Sequence, residues 1–226
     1  MKWSENKRAC KEDTENAVPI RKQVIYSACV MVFGIILGCL SKYLDCTPSN
    51  HLPYIINRLD VRNFLGRFAV WIFIAVCISV YSKSALRAAV NVFVFFVGMV
   101  GSYYLYTKFI AGFFPKSYAM IWIGFTIVSP FLAFICWYAK GGDNRKLSLA
   151  VSAAIIAVLF NTAFAYGMWY FNIGLWYFDV RYVPELIIFL LGIFLLRRNV
   201  KETVIMVAGG VILAMLMDRI SPVHFW

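Results

Sequence analysis

The stretch YFNIGLWYFDVRYVPELIIFLL, residues 170 to 191, places three charged side chains among aromatic rings. Carboxylates and a guanidinium can bind the polar ends of a small organic molecule, and the faces of neighbouring rings can stack on its body. We therefore predict a ligand-binding site that faces away from the cytoplasm. It comprises Trp169, Tyr170, Trp176, Tyr177, Asp179, Arg181 and Glu185.

A plainer interpretation accounts for the same stretch. Pro184 suits the first position of a helix, and Glu185 in the first turn complements the positive end of the helix dipole. Asp179 and Arg181 would then lie in the preceding loop, and the rings in the headgroup belt where aromatic residues are enriched. Both interpretations predict a helix that begins near residue 183.

Motifs for catalysis and metal binding are missing from the sequence. It contains no HExxH, GxSxG or Walker pattern, and no apolar run carries a pair of carboxylates, so we predict no catalytic residue. His51 and His224 lie outside the apolar runs and no Cys, His and carboxylate cluster has ligand spacing, so we predict neither a metal nor a cofactor. The six cysteines show no CxxC spacing, which favours a packing role.

The elements that must position these residues are membrane helices. The chain of 226 residues is 62% hydrophobic and only 15% charged, far from the composition of soluble domains. Its apolar runs are long enough for a hydrocarbon core of about 30 Å. We predict an all-α polytopic transmembrane helix bundle with seven candidate spans, at 24–41, 67–82, 88–106, 119–139, 147–170, 183–196 and 203–217. The last two have the shortest apolar runs, so each is expected to be tilted, extended by flanking residues or partly re-entrant, and a re-entrant last segment would leave six spans.

The basic residues predict the orientation. With the N-terminus in the cytoplasm, 14 of the 22 Lys and Arg residues fall on the cytoplasmic side and 8 on the other. Residues 1–23 are then a cytoplasmic tail and 24–226 a single transmembrane domain. The net charge of +11 is explained by this topology and by contact with membrane lipids, so we expect no nucleic-acid partner. The longest outer loop is expected to cover the membrane interface with a short helix around residues 52 to 65.

Side chains inside the predicted spans give weaker indications. No ionisable residue lies in the middle of a span, which argues against a proton-driven carrier or a voltage sensor. The polar residues that do occur are expected to bridge helices or, alternatively, to form a polar path: Asn91, Thr126, Ser129, Asn161 and Thr162. Gly34 and Gly38 form a GxxxG pair that permits close helix packing, either within the chain or with a membrane-protein partner or second copy.

The segments YSKSALRAAVNVFVFFVGMVGSYYLYTKF and SPFLAFICWYAKG carry a family resemblance. Over residues 30 to 196 the sequence resembles an uncharacterised family of small bacterial integral membrane proteins, mostly from Gram-positive species, classed as a domain of unknown function. The resemblance implies a location in the bacterial plasma membrane and assigns no functional residue.

The leading functional hypothesis is small-molecule binding or transport. A membrane-embedded interaction or immunity-type protein and a membrane-embedded enzyme acting on a lipid-linked substrate are the alternatives. The span composition favours the first, because an aromatic and charged outer rim joins spans that lack coupling charges.

Overall fold

The structure is a computed structural model that describes residues 19–141, 144–168 and 176–220. Helices make up nearly all of this part of the chain, which confirms the predicted all-α class. The helices are α1 (Ile20–Cys46), α2 (Tyr54–Arg58), α3 (Val61–Gly66), α4 (Phe68–Tyr81), α5 (Ala85–Phe109), α6 (Lys116–Trp137), α7 (Arg145–Ala163), α8 (Val183–Leu196) and α9 (Val200–Ile220). Short 3₁₀ turns follow α1 and α6, at Ser49–His51 and Tyr138–Lys140.

Five of the described helices, α1, α5, α6, α7 and α9, are long and apolar enough to cross a membrane. Each of the seven predicted spans coincides with a helix, but α4 and α8 contain only 14 residues each. The seventh span is extended by flanking residues, one of the alternatives that the sequence left open. Its helix continues through the charged residues at both ends, Lys201, Glu202, Asp218 and Arg219, and reaches 21 residues.

The predicted fifth span is wrong beyond residue 163. Helix α7 ends at Ala163, and the chain continues as strand β1 (Phe164–Met168), which pairs antiparallel with β2 (Trp176–Val180). Aromatic side chains favour this extended backbone, because they pack well across paired strands. The rings of Phe164 and Phe178 stack with centroids 4.9 Å apart. The described chain therefore contains a strand pair that the sequence analysis did not predict.

The chain divides into two compact units. The described residues of unit 1 fall within 1–53 and 75–145, and those of unit 2 within 54–74 and 146–226. Unit 2 is thus built from two separate stretches of sequence. The assignment of residues 24–226 to a single transmembrane domain stays a prediction.

In unit 1, α1 packs closely on α5 through glycines. A Cβ atom at Gly34 would overlap the carbonyl oxygen of Phe95, and one at Gly38 would overlap that of Met99. From the other helix, a Cβ at Gly98 would come within 2.6 Å of a backbone oxygen of α1. The GxxxG pair of α1 is therefore used for packing within the chain, one of the two alternatives that the sequence left open.

Asn91 is the centre of a polar network in unit 1. Ser27 Oγ donates to Asn91 Oδ1 at 2.7 Å, and Asn91 Nδ2 donates to Ser82 Oγ at 3.3 Å. Trp137 Nε1 donates to the carbonyl oxygen of Ser82 at 3.0 Å. The prediction that Asn91 bridges helices is confirmed.

Thr126 and Ser129 behave differently, since each bonds its own helix. Thr126 Oγ1 donates to the carbonyl oxygen of Trp122 at 2.8 Å, and Ser129 Oγ donates to that of Thr126 at 2.8 Å. Pro130 lies inside α6 and has no N–H for the Thr126 carbonyl. The Ser129 hydroxyl supplies the missing hydrogen bond, so the helix continues through the proline.

Candidate functional site

The seven residues of the predicted ligand-binding site have different surroundings. Trp169 and Tyr170 lie outside the described residues, and Trp176 is on β2 with a side chain outside the description. Tyr177 and Asp179, also on β2, are exposed. Asp179 Oδ1 accepts a hydrogen bond from the next backbone N–H at 2.7 Å. The ligand-binding role of these residues stays a prediction.

Arg181 holds the end of the strand pair. Its backbone N–H donates to the carbonyl oxygen of Ala163 at 2.9 Å, and its Nε donates to that of Phe164 at 3.0 Å. Both acceptors lie where α7 gives way to β1. The described contacts of Arg181 are therefore those of a residue that fastens β2 to the end of α7.

Tyr166 on β1 adds a neutral phenol near this junction. Its hydroxyl donates to Asn161 Oδ1 at 2.6 Å. The pKa of Tyr166 is raised to about 12, chiefly because burial disfavours the phenolate; Asp218 acts in the same direction and Arg181 opposes both. The phenol therefore stays protonated at neutral pH and keeps its role as a donor. The bond joins α7 to the strand that follows it, whereas the sequence analysis expected Asn161 to bridge helices.

Glu185 lies in the first turn of α8, behind Pro184, as the sequence predicts. Its side chain is only 1% exposed and forms an ion pair with Arg67, through Oε1 and Nε. A carboxylate buried to this degree requires a partner, because the loss of hydration is otherwise uncompensated. Arg67 was not among the predicted site residues.

Arg67 reaches Glu185 because it is not itself helical. It follows Gly66 at the end of α3 with extended dihedral angles, φ −94° and ψ 162°, and separates α3 from α4. Two short helices thus meet at an extended residue whose side chain is 18% exposed. The predicted interfacial helix around residues 52 to 65 corresponds to α2 and α3, which precede it.

Two further side chains contact the Arg67 guanidinium. Its Cζ lies 3.9 Å from the ring centroid of Tyr182, and its Nη1 lies 3.6 Å from Asp60 Oδ2. Asp60 has a left-handed backbone, φ 51°, and accepts a hydrogen bond from Asn63 Nδ2 at 2.8 Å. Asp60 is 44% exposed and Tyr182 is exposed as well. We call Arg67, Glu185, Asp60 and Tyr182 the Arg67 site; its side chains range from solvent-exposed to buried.

Two polar atoms of the Arg67 site have no hydrogen-bond partner among the described residues. They are Arg67 Nη2 and Glu185 Oε2, and both are buried. A buried polar atom left in this state costs roughly 1–3 kcal/mol, and more when it belongs to a charged group. The unpaired donor and the unpaired acceptor belong to the two members of one ion pair. Together they match a ligand group that carries an acceptor beside a donor, such as an amide, a urea or a protonated carboxylic acid.

A second buried cation, Lys42 at the end of α1, has a more complete set of contacts. Lys42 Nζ lies 2.6 Å from Asp45 Oδ2, and Tyr103 donates its hydroxyl to the same oxygen at 3.2 Å. The ammonium also lies 5.1 Å and 4.9 Å from the ring centroids of Tyr103 and Phe113. These contacts are typical of a buried cation with a local counter-ion, and they are not typical of a ligand site.

Comparison with protein-family models matches residues 17–220 to the family described as "Family of unknown function (DUF6518)". The chain belongs to this family. The match confirms the resemblance to a domain of unknown function and extends it beyond residues 30 to 196. No curated protein and no solved structure matches the chain.

The DUF6518 match includes the whole Arg67 site, from Asp60 to Glu185. It assigns no role to these residues, so any activity must be argued from their chemistry. Among the described residues, no group of three or more His, Cys, Asp or Glu side chains could hold a metal ion.

Proposed function

We propose that this DUF6518 protein is a multi-pass membrane protein that binds a small organic molecule at the Arg67 site and supports its passage across the membrane. One observation carries the proposal. Arg67 Nη2 and Glu185 Oε2 are buried without a hydrogen-bond partner in the part of the chain that the structure describes.

A purely structural ion pair would be expected to use these atoms. Arginine binds a carboxylate most favourably through two parallel hydrogen bonds, and a buried pair that lacks them gains little net stability. Here Nε bonds Oε1, while Nη2 and Oε2 make no hydrogen bond. A ligand with an acceptor beside a donor would bond both atoms without adding net charge to the site.

Tyr182 and Asp60 are the exposed members of the Arg67 site, so a ligand from the solvent would reach them first. Tyr182 stacks on the guanidinium, so its ring is held beside the ion pair while much of its surface stays exposed. Glu185 is retained from the sequence hypothesis, and Arg67, Tyr182 and Asp60 are added to it. Roles for Trp169, Tyr170, Trp176, Tyr177, Asp179 and Arg181 in ligand capture are part of the proposal.

The proposed topology is seven spans with a cytoplasmic N-terminus, in a bacterial plasma membrane. Contacts at helix ends support the arrangement of spans, because they join residues that seven spans place on the same side; the cytoplasmic N-terminus is inferred from the basic residues. These are Arg67 with Glu185 and Lys42 with Phe113 on the outer side, and Gln23 with Arg87 and Ser148 with Arg198 on the cytoplasmic side. Labelling both chain ends in intact cells tests the topology; finding them in one compartment would contradict it.

The ligand is tested by thermal unfolding of the purified chain in detergent. We expect a compound with a carboxamide, urea or lactam edge to raise the melting temperature, and its N-methylated analogue, which lacks the donor, to have no effect. Arg67→Lys keeps the positive charge but removes Nη2, and should abolish the shift. Asp45→Asn, which changes the Lys42 cluster, should retain it. The proposal fails if Arg67→Lys responds as the wild type does, or if no such compound in a broad set raises the melting temperature.

Binding of a membrane-protein partner through Gly34 and Gly38 gains no support, because both glycines pack against α5 of the same chain. A partner bound at another surface, or action on a lipid-linked substrate, stays a prediction without a described contact that favours it.

A further inference from the structure

An apolar groove runs between α5 and α6 in unit 1, with a volume of about 300 Å³. It is lined by Phe93, Val97, Gly101 and Tyr104 from α5 and by Ile123 and Ile127 from α6, among others. Two lining residues carry a hydroxyl group, Tyr104 at one end of the groove and Thr126, and the Thr126 hydroxyl is already bonded to the backbone of its own helix. The groove therefore does not need a ligand with polar atoms along its length.

The walls of the groove face outward. Phe93 and Val97 are exposed on α5, as are Ile123 and Ile127 on α6. Both helices are long and apolar enough to cross a membrane, so their exposed apolar surfaces contact hydrocarbon when the protein is in a bilayer. An extended acyl chain matches the shape and the chemistry of this groove.

Two lysines lie beyond one end of the groove. Lys108 follows Tyr104 by four residues on α5, and Lys116 precedes Ala119, also in the lining, by three residues on α6. Residues three or four apart share a helix face, so each lysine lies one turn further along the face that lines the groove. The end that carries Tyr104 and Ala119 is therefore also the charged end.

Both lysines are exposed, and within the described ranges neither has a carboxylate partner. The sequence carries no Asp or Glu between Asp60 and Asp143, so α5 and α6 supply no counter-ion themselves. Asp45, the acid that contacts α5 through Tyr103, is already bonded to Lys42. An anion at this end would neutralise both ammonium groups.

We propose that the groove binds an anionic phospholipid, with one acyl chain between α5 and α6 and the phosphate between Lys108 and Lys116. Two cations lie at one end of an otherwise apolar site. Charge complementarity therefore favours a lipid whose headgroup carries a net negative charge over a zwitterionic lipid. Basic groups between membrane helices bind anionic headgroups in this way. The proposal is independent of the Arg67 site and of the orientation of the chain.

Glycines allow a matched test of the acyl-chain contact. A Cβ at Gly101, which lines the groove, meets no atom within 4 Å, and the same holds for Gly124 on α6, which is outside the lining. Gly101→Leu should fill the groove, whereas Gly124→Leu adds the same side chain elsewhere on the helix pair. Both substitutions extend into open space, so neither is expected to disturb the helix packing.

The measurement is titration of the delipidated chain in detergent with phosphatidylglycerol or with phosphatidylcholine of the same acyl composition, followed by native mass spectrometry. We expect phosphatidylglycerol to bind at least tenfold more tightly. Gly101→Leu should weaken it tenfold or more, while Gly124→Leu stays within twofold of wild type. Replacing both Lys108 and Lys116 by Gln should weaken it by about fivefold per lysine. The double variant Lys22→Gln, Lys201→Gln, which removes two exposed charges elsewhere, is the charge control.

Three results would each overturn the proposal: equal affinity for the two lipids, equal binding by the two leucine variants, or an equal loss in the charge control. The lysine variants change exposed side chains only, so they decide the question even if Gly101→Leu fails to fold.

Discussion

Lys42 of unit 1 and Arg67 of unit 2 are both cations bonded to a carboxylate near the end of an apolar helix, and they differ in where the carboxylate lies. Lys42 is 4% exposed, but its partner Asp45 is 45% exposed and can be hydrated. In the other pair the carboxylate is the buried member, since Glu185 is 1% exposed. An exposed acid can neutralise a buried cation and still be hydrated. A buried acid loses its hydration, so its hydrogen bonds must come from the protein or from a ligand.

The largest expected effect is that of Glu185→Ala, because it removes the buried counter-ion of the Arg67 guanidinium and leaves only the exposed Asp60, 3.6 Å from Nη1. Breaking a buried pair by removing one partner costs about 3–5 kcal/mol. The free energy of unfolding of the chain in mixed micelles, measured by denaturant titration, should fall by that amount. A loss below about 1 kcal/mol would mean that Arg67 is readily hydrated and that the contrast with Lys42 is mistaken.

Gly38→Ala should have the next largest effect. The added Cβ would overlap the Met99 carbonyl oxygen and Ser102 Oγ on α5, and overpacking of a close interface costs about 1–3 kcal/mol. Gly124→Ala is the control, since its Cβ meets open space. If the two variants unfold at the same denaturant concentration, the α1 and α5 contact does not depend on the glycine.

A smaller loss is expected for Asp45→Asn. This substitution removes the charge of the exposed acid but keeps an oxygen that can accept from Lys42 and Tyr103. A hydrogen bond to a charged acceptor contributes about 1 kcal/mol more than one to a neutral acceptor, so the unfolding free energy should fall by about that amount. A larger loss would show that the Lys42 cluster resembles the Arg67 site more closely than its exposure indicates.

The smallest change in stability is expected when both members of the buried pair are replaced. The double variant Arg67→Met, Glu185→Leu should unfold within about 1 kcal/mol of wild type, because apolar side chains of similar size often replace a buried ion pair without loss. The same variant should lose any ligand-induced rise in melting temperature. A double variant as unstable as Glu185→Ala would assign the pair a structural role instead.

The sequence predicted the positions of the long helices because apolar composition is a local property. The start of α8 was predicted for the same reason, from Pro184 and Glu185, which are adjacent in sequence. The bounds of α4 agree with the predicted span at 67–82. The break before it was not predicted, because Arg67 ends α3 in an extended conformation and nothing in its neighbours requires that. Strand β1 was missed because its apolar residues continue directly from α7, and its pairing with β2 is a tertiary effect.

The partner of Glu185 could not be predicted in the same way. Arg67 lies 118 residues earlier, and no periodicity or motif connects two residues at that separation. The sequence analysis placed both residues on the outer side of the membrane. This reduced the number of candidate partners for Glu185 but did not identify Arg67. Asn91 shows a related limit. An amide in an apolar run predicts a bridge between helices, but its hydrogen-bond partners, Ser27 and Ser82, are known only from the packed helices.

The two separate stretches that form unit 2 have a consequence for biosynthesis. A ribosome adding about 5–20 residues per second needs roughly 6–24 s to pass from Arg67 to Glu185. Within that interval α5 is completed and can associate with α1 in unit 1, while the arginine is in the nascent chain without its buried carboxylate. Unit 2 is therefore the later of the two to be completed, and a stop codon placed before Glu185 would leave a fragment that retains the glycine contact between α1 and α5 and has only Asp60 to neutralise the guanidinium.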